Sequence, residues 1–223
     1  MTFKHELVQL KELNTKSSDS GRFYETPEGK SYPSVTTITG LLSKASILAW
    51  RQRVGDNKAD AITKAATTRG NKVHKMAEMY LRNEMASQIN LFEDPMPHIE
   101  DMFLQLTELL DNNIGIINAI EAPLYSDQLK VGGRVDLIAE WDGELAVIDF
   151  KTSSKTKKES WIDGYFMQSS AYALMFEELT GIKVNKIVIA IAVENNRSQV
   201  FIKDSTEYLQ QFIDLRKTYD IMN

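Results

Sequence analysis

Gly132-Gly133-Arg134-Val135-Asp136-Leu137-Ile138-Ala139-Glu140-Trp141-Asp142-Gly143-Glu144-Leu145-Ala146-Val147-Ile148-Asp149-Phe150-Lys151-Thr152 reads as two strands joined by a tight turn at Asp142-Gly143. With those two residues at the centre of the turn, Trp141 faces Glu144. Counting back in register places Asp136 opposite Asp149. Side chains alternate along a strand, so Lys151 shares a face with Asp149. Ile138, Leu145 and Val147 lie beside this charged trio, and Val135, Leu137, Ala139, Ile148 and Phe150 fall on the other face. A sheet apolar on both faces needs a layer on each, so helices are expected to flank it.

Opposed carboxylates in an apolar sheet need a physical reason. Directly opposed side chains have Cβ atoms about 5 Å apart, and at an effective dielectric of about 20 two like charges there repel by roughly 3 kcal/mol. A divalent cation turns that repulsion into coordination, and carboxylates with water and backbone carbonyls suit Mg²⁺ or Mn²⁺. The competing reading is a sheet-edge carboxylate with a salt bridge to Lys151.

The rest of the chain bounds the classes open to it. Its 223 residues are enough for one domain with a substantial core, and 43% hydrophobic and 26% charged residues are ordinary for a globular protein. No apolar run is long enough for a membrane span and no signal-peptide pattern opens the chain, so a cytoplasmic setting and no membrane partner are expected. Cysteine is absent, which excludes disulfides and thiolate-held zinc or iron–sulfur centres. The net charge of −5 is the wrong sign for nucleic-acid binding through the overall field. Local basic tracks remain: Arg51, Arg53, Lys58, Lys64, Arg69, Lys72 and Lys75 in one segment, and Lys155, Lys157 and Lys158 after the hairpin. They read as a phosphate track or as solvated helix faces.

Along the chain, residues 1–21 read as a short helix and a loop. A small hairpin is expected around Pro27-Glu28-Gly29, and helices from Ser34 to Leu42, Ser46 to Arg53 and about Ala59 to Asn83, with Gly70 weakening the last. Pro95 and Pro97 mark a break before an amphipathic helix over Ile99 to Leu110. Strands are expected at Ile116 to Tyr125, in the hairpin, at Lys186 to Val193 and at Gln199 to Lys203. Helices are expected at Trp161 to Thr180, closed by Gly181, and at Thr206 to Tyr219. The division expected is an N-terminal hairpin and helical extension, 1–58, on a core, 59–223.

Val135-Asp136 followed by Asp149-Phe150-Lys151 resembles the PD-(D/E)XK nuclease signature. Gly133-Arg134-Val135-Asp136 with Ile148-Asp149-Phe150-Lys151-Thr152 is similar to its RecB-type branch, although Val135 stands where the signature has proline. Arg69-Gly70-Asn71-Lys72-Val73-His74 resembles that branch's Gly-x-x-x-His element, and Gln168-Ser169-Ser170-Ala171-Tyr172 its Gln-x-x-x-Tyr element. Tyr32-Pro33-Ser34-Val35-Thr36-Thr37-Ile38 is similar to the Ser-Val-Thr element of the mitochondrial genome maintenance exonuclease group, which includes phage exonucleases.

The resemblance implies an α/β, restriction-endonuclease-like core with a mixed five-stranded sheet, helices on both faces and an N-terminal helical extension. It implies a metal-dependent deoxyribonuclease, an exonuclease on single-stranded DNA, working with Mg²⁺ or Mn²⁺ in replication, recombination or repair; a monomer is expected. The lack of a mitochondrial-type presequence favours a bacterial cell or phage-infected host. Asp136 and Asp149 would hold metal with the Phe150 carbonyl, and Lys151 would position water or stabilise the transition state. His74 would approach the metal, or sit as an ordinary helix histidine. Glu121 would be an additional ligand, or an edge carboxylate, with Glu78 as its competitor. Gln168 would clamp near Lys151 and Tyr172 would form a wall, or pack in the core. Thr152, Ser153 and Lys155 would donate to phosphates, or form a loop. Ser34 and Thr36 would hold a terminal phosphate, or cap a helix. His5 and His98 read as structural. The rival readings are a structure-specific or restriction-type endonuclease and a non-catalytic nucleic-acid-binding protein on a nuclease fold.

Overall fold

The computed structural model describes residues 2–85 and 97–223, so Pro95 lies outside the described residues. The hairpin is present as β6 (Val131–Trp141) and β7 (Glu144–Ser153). Asp142 and Gly143 have φ of 52° and 76°, the left-handed pair that a type I′ turn requires. The ladder runs from Trp141↔Glu144 to Leu137↔Ile148 and ends one pair short of Asp136 and Asp149.

Four other strands complete one sheet: β1 (Lys4–His5), β5 (Ile114–Ser126), β8 (Lys186–Val193) and β9 (Gln199–Asp204), in the order β1-β5-β6-β7-β8-β9. The sheet is mixed, with β1/β5 and β7/β8 parallel and the remaining pairs antiparallel. A parallel neighbour needs a crossover. Helix α5 (Asp163–Thr180) supplies it between β7 and β8, and Gly181 ends it at φ 73°. Every residue of β8 after Lys186 is buried, as an apolar run covered on both faces should be.

Helices α3 (Asp56–Leu81) and α4 (Pro97–Asn113) cover one face through Val73, Met76, Met102 and Leu106. On the other lie α1 (Val35–Thr39), α5 and α6 (Leu209–Met222), through Ile38, Phe166 and Phe212. Helix α2 (Leu41–Val54) buries none of its residues. The fold is therefore a restriction-endonuclease-like α/β sandwich around a mixed sheet.

Three expectations need correction. Residues 1–21 form no helix: they supply β1 and β2 (Asn14–Ser18), which pairs with β3 (Gly21–Glu25), itself paired with β4 (Ser31–Pro33). Thr15, Ser17 and Ser18 suit an exposed strand better than a helix interior. The main sheet has six strands rather than five, because Lys4 and His5 add in parallel beside Ile116 and Ile117. Val135 packs with Ile138 and not with Leu137, so alternation changes phase at Asp136.

The same change occurs in β5, where Ile120 belongs to one core cluster and Ala122 to the other. Between them Glu121 has φ of 47°. Ile120↔Leu137 and Ala122↔Val135 flank the break, so Glu121 stands across from Asp136. Glu121 and Asp136 are thus opposed carboxylates on neighbouring strands, on the side of β6 away from β7.

The three-stranded sheet closes over β6 where side chains are missing. A Cβ on Gly132 would lie 2.5 Å from Tyr24 Cβ, and one on Gly133 would lie 2.5 Å from the Tyr172 ring. Tyr24 Cβ is fixed to its backbone, so no rotamer relieves the first contact. Gly132→Ala should destabilise the protein by about 1–3 kcal/mol, the usual range for overpacking. Thermal melting checks this, and a wild-type midpoint would show that the small sheet is not seated on β6.

Candidate active site

One cleft of about 970 Å³ runs between the small sheet, α3, β5, β6 and α5. It is lined by eight residues expected from the sequence: Ser34, Thr36, His74, Glu121, Asp136, Lys151, Gln168 and Tyr172. Asp149, only 2% exposed, lies beneath its floor.

Two charge systems meet there. The first is buried. Lys151 Nζ makes an ion pair with Asp149 Oδ2, and Gln168 Nε2 donates to Asp149 Oδ1 at 2.7 Å. Burial pushes the Asp149 carboxyl up, against the pull of the adjacent ammonium. Burial also works against the charge on Lys151, but Asp149 and Asp136 outweigh it and hold its pKa above the ordinary value. Both carboxylates therefore favour the ammonium form of Lys151. Its ammonium also lies 5.1 Å from the Tyr165 ring centre.

The second system faces the cleft. His74, Glu121 and Asp136 bring ligand atoms within 4.8 Å of one another. His74 Nδ1 is 3.7 Å from Asp136 Oδ1, while Asp136 Oδ2 accepts from the Phe150 backbone N–H at 2.8 Å. That bond takes the place of the next rung of the hairpin ladder and fixes the carboxylate. Burial, then the charges of Asp136 and Glu78, pushes the Glu121 carboxyl up to about 8. One imidazole and two carboxylates are a donor set for a divalent cation, and a cation would relieve the repulsion recorded in Glu121. Glu78, the rival ligand, is held by Lys75 at 2.9 Å and Arg82 at 3.0 Å. Although burial opposes it, these two cations hold the Glu78 carboxyl below its usual range.

The strained turn at Glu121 has its own clamps. Arg134 Nη1 donates to the Glu121 carbonyl, and Arg82 Nη2 donates to the Ile120 carbonyl at 3.1 Å. A non-glycine residue at positive φ costs on the order of 1–3 kcal/mol, and charged donors on the adjoining carbonyls offset it. Sequence reasoning passed over Arg134, Arg82 and Tyr165. Arg134 stood inside the quoted motif, and its signal was a cation next to an acidic strand.

The other expected residues are placed differently. Tyr172 is buried against Gly133, so its ring is both cleft wall and core. Phe150 is buried, with its ring 6.2 Å from His74. Ser34 caps α1 by accepting from Thr37 N–H at 2.9 Å, and Thr36 is exposed at the cleft. His5 binds the Leu81 carbonyl at 2.7 Å, and His98 is exposed. Ser153 Oγ donates to the Lys155 carbonyl at 2.6 Å, closing a turn, while Lys155 is exposed and Thr152 half-buried.

Arg51, Arg53, Lys64, Arg69 and Lys72 do not line this cleft. Arg51 is held by Asp56 and Asp60 at 3.0 and 2.8 Å, and Arg69 by Glu194 at 3.3 Å. Arg53 and Lys64 are exposed. The cations that reach the cleft are Arg22, Lys75, Arg134 and Lys151.

A family model described as the PD-(D/E)XK nuclease superfamily matches residues 44–217. Over 133 residues the chain is 26% identical to mitochondrial genome maintenance exonuclease 1 of Homo sapiens, covering 56% of this chain and 38% of that protein. Over 112 residues it is 29% identical to the Mus musculus protein of the same name, covering 48% and 32%. The chain thus spans about a third of the length of these relatives. A solved structure from Eubacterium rectale overlaps 67% of this chain and 64% of its own, at 13% identity and a TM-score of 0.45.

The Glu121 shift has a consequence for stability. Below about 4.5 this carboxyl is protonated in both folded and unfolded chains; from there to about 8 only the folded chain keeps the proton. The metal-free protein should therefore lose stability as pH rises through that window. Glu121→Gln keeps a neutral side chain and should flatten the upper part of this slope. Melting in chelator across the window checks it, and an unchanged slope would mean that Glu121 titrates in the ordinary range.

Proposed function

The chain belongs to the PD-(D/E)XK nuclease superfamily, and on that premise we propose that it is a divalent-metal-dependent DNA exonuclease acting on single-stranded DNA with free ends. The observation that carries this is the His74–Glu121–Asp136 cluster open to a cleft beside the Lys151–Asp149 pair. Similarity to two proteins named exonucleases supports the exonuclease reading over the endonuclease one. Replication, recombination or repair is the setting we assign. Mg²⁺ or Mn²⁺ is the assigned cation, on the hardness of the two carboxylates. We assign a monomer in a bacterial cell or a phage-infected host. Among the described residues no helix is long and apolar enough to cross a membrane.

His74, Glu121 and Asp136 would hold the cation, with the Phe150 carbonyl beside them. Asp149 would join only by loosening one of its two present partners. When bound, such an ion lowers the pKa of its water and draws charge from a phosphodiester. Lys151, held at Asp149, would place a positive charge where charge grows on the phosphoryl oxygens. Gln168 holds Asp149, and through it the lysine, in one orientation. Arg22 would draw a flanking backbone phosphate into the cleft, and Lys75 and Arg134 would do so by exchanging their present partners Glu78 and Glu12. Thr36 stands exposed at the α1 end, with Ser34 in use as the helix cap.

End-labelled linear and circular single-stranded DNA, each offered with Mg²⁺ or Mn²⁺, tests the activity. Linear strands should shorten from an end while circles persist. Nicked circles would replace this reading with the endonuclease one, and intact DNA under every metal would leave a binding protein. Lys151→Ala should slow cleavage by about 10²–10³ and still bind DNA, as loss of one electrostatic donor does. Wild-type turnover in that variant would remove Lys151 from the chemistry.

A further inference from the structure

Behind Gln168 and Thr36 a second cavity of about 420 Å³ opens, sharing both residues with the catalytic cleft. Trp161, at the end of a short 3-10 turn (Glu159–Trp161), forms one wall and Leu42 of α2 the other. Trp161 is 64% exposed, while Trp141 is 2% exposed in the core. An indole this exposed beside a cavity leaves apolar ring surface open to a ligand. Lys158 Nζ sits 5.3 Å from its ring centre, and the neighbouring Glu159 is drawn off by Lys203 at 2.6 Å. The local balance at the groove mouth is therefore cationic.

The walls are held apart. Gly164 lines the floor, and a Cβ added there would lie 3.3 Å from Leu42 Cδ1, so any side chain would narrow the groove. Tyr165, the next residue, lines this groove and packs its ring near the Lys151 ammonium. The groove is thus one side chain away from the catalytic lysine.

We propose that this groove takes an unstacked nucleobase of the strand being cut, next to the scissile phosphate, with Trp161 as its stacking platform and Lys158 on the adjoining phosphate. The proposal rests on the nuclease reading above and adds to it the reason for a single-strand preference. A paired base is already stacked and cannot enter between Trp161 and Leu42, whereas a free base has both faces available. Aromatic stacking is tolerant of sequence, so the groove would select strandedness and not base identity.

Intrinsic fluorescence tests it in chelator, where no DNA is cut, using oligothymidylate and a blunt DNA hairpin duplex as probes. Oligothymidylate should quench wild-type emission and the duplex should not. Trp161→Phe should lose the quench and keep the affinity, since a phenyl ring still stacks. Trp161→Ala should weaken oligothymidylate binding by about fivefold or more, the usual loss for one stacked base, with a wild-type melting temperature. Binding without quenching, unchanged affinity in Trp161→Ala, or no binding of oligothymidylate would each overturn the groove. Mn²⁺-driven hydrolysis of bis(p-nitrophenyl) phosphate by the wild type reports the catalytic reading separately. Its failure with stacking intact would sink the nuclease chemistry alone, and its success without stacking would sink the groove alone.

Discussion

Two carboxylates, Glu121 and Asp136, face one another across neighbouring strands of a sheet whose faces are both covered. Like charges in that position destabilise a sheet, and most of what surrounds the site can be understood as an answer to them. The strands change phase there, Glu121 takes a left-handed backbone, and Arg134 and Arg82 grip the adjoining carbonyls. Asp136 is steadied by the Phe150 N–H and faced by His74 from α3. Burial and the charges of Asp136 and Glu78 push the Glu121 carboxyl up despite Arg134 and Arg82, and a divalent cation would relieve both carboxylates.

Asp149 and Lys151 answer a different need. A carboxylate 2% exposed must be compensated from inside the protein, and it has one ammonium and one amide for its two oxygens. This makes the lysine a fixed charge: its position is set by the carboxylate below it and by the Tyr165 ring beside it. The site therefore separates a cation-holding group open to the cleft from a positively charged anchor rooted in the core. Gln168 reaches that anchor from α5, while His74 reaches the carboxylates from α3, so helices from both layers converge at the end of the hairpin.

Much of this was legible in the sequence. Asp142-Gly143 fixed the turn and hence the register, and the unbroken apolar run Lys186 to Val193 gave a strand covered on both faces. The motif residues His74, Asp136, Lys151 and Gln168 do meet at one cleft. What failed was the assumption of strict alternation. Counting by twos put Val135 on the face of Leu137, but the phase changes at Asp136, and a positive-φ residue in β5 sets Glu121 across from Asp136 on the side away from β7. Glutamate carries no local signal for that conformation, since it is held by two arginines distant in the chain. The basic segment divides: Lys75 lines the cleft, while Arg51 and Arg69 lie outside it. Arg51 pairs with Asp56 and Asp60 of its own segment, but charge counted along the chain does not show that Arg69 meets Glu194 or that Arg22 lies in the cleft. The first 21 residues, polar and short of apolar periodicity, gave no hint that their strands would roof the site.

The central claim is that the opposed carboxylates form a cation site. Mn²⁺ binding, followed by the loss of the free-ion electron paramagnetic resonance signal, tests it most directly on wild type and Asp136→Asn at one pH. Asparagine keeps the shape and can still accept from the Phe150 N–H, so the fold is retained while the charge is lost. The account predicts Mn²⁺ uptake by the wild type, weaker by at least about tenfold in the variant, since losing even an outer partner of a metal ligand costs that much. Equal uptake by the two proteins would contradict it.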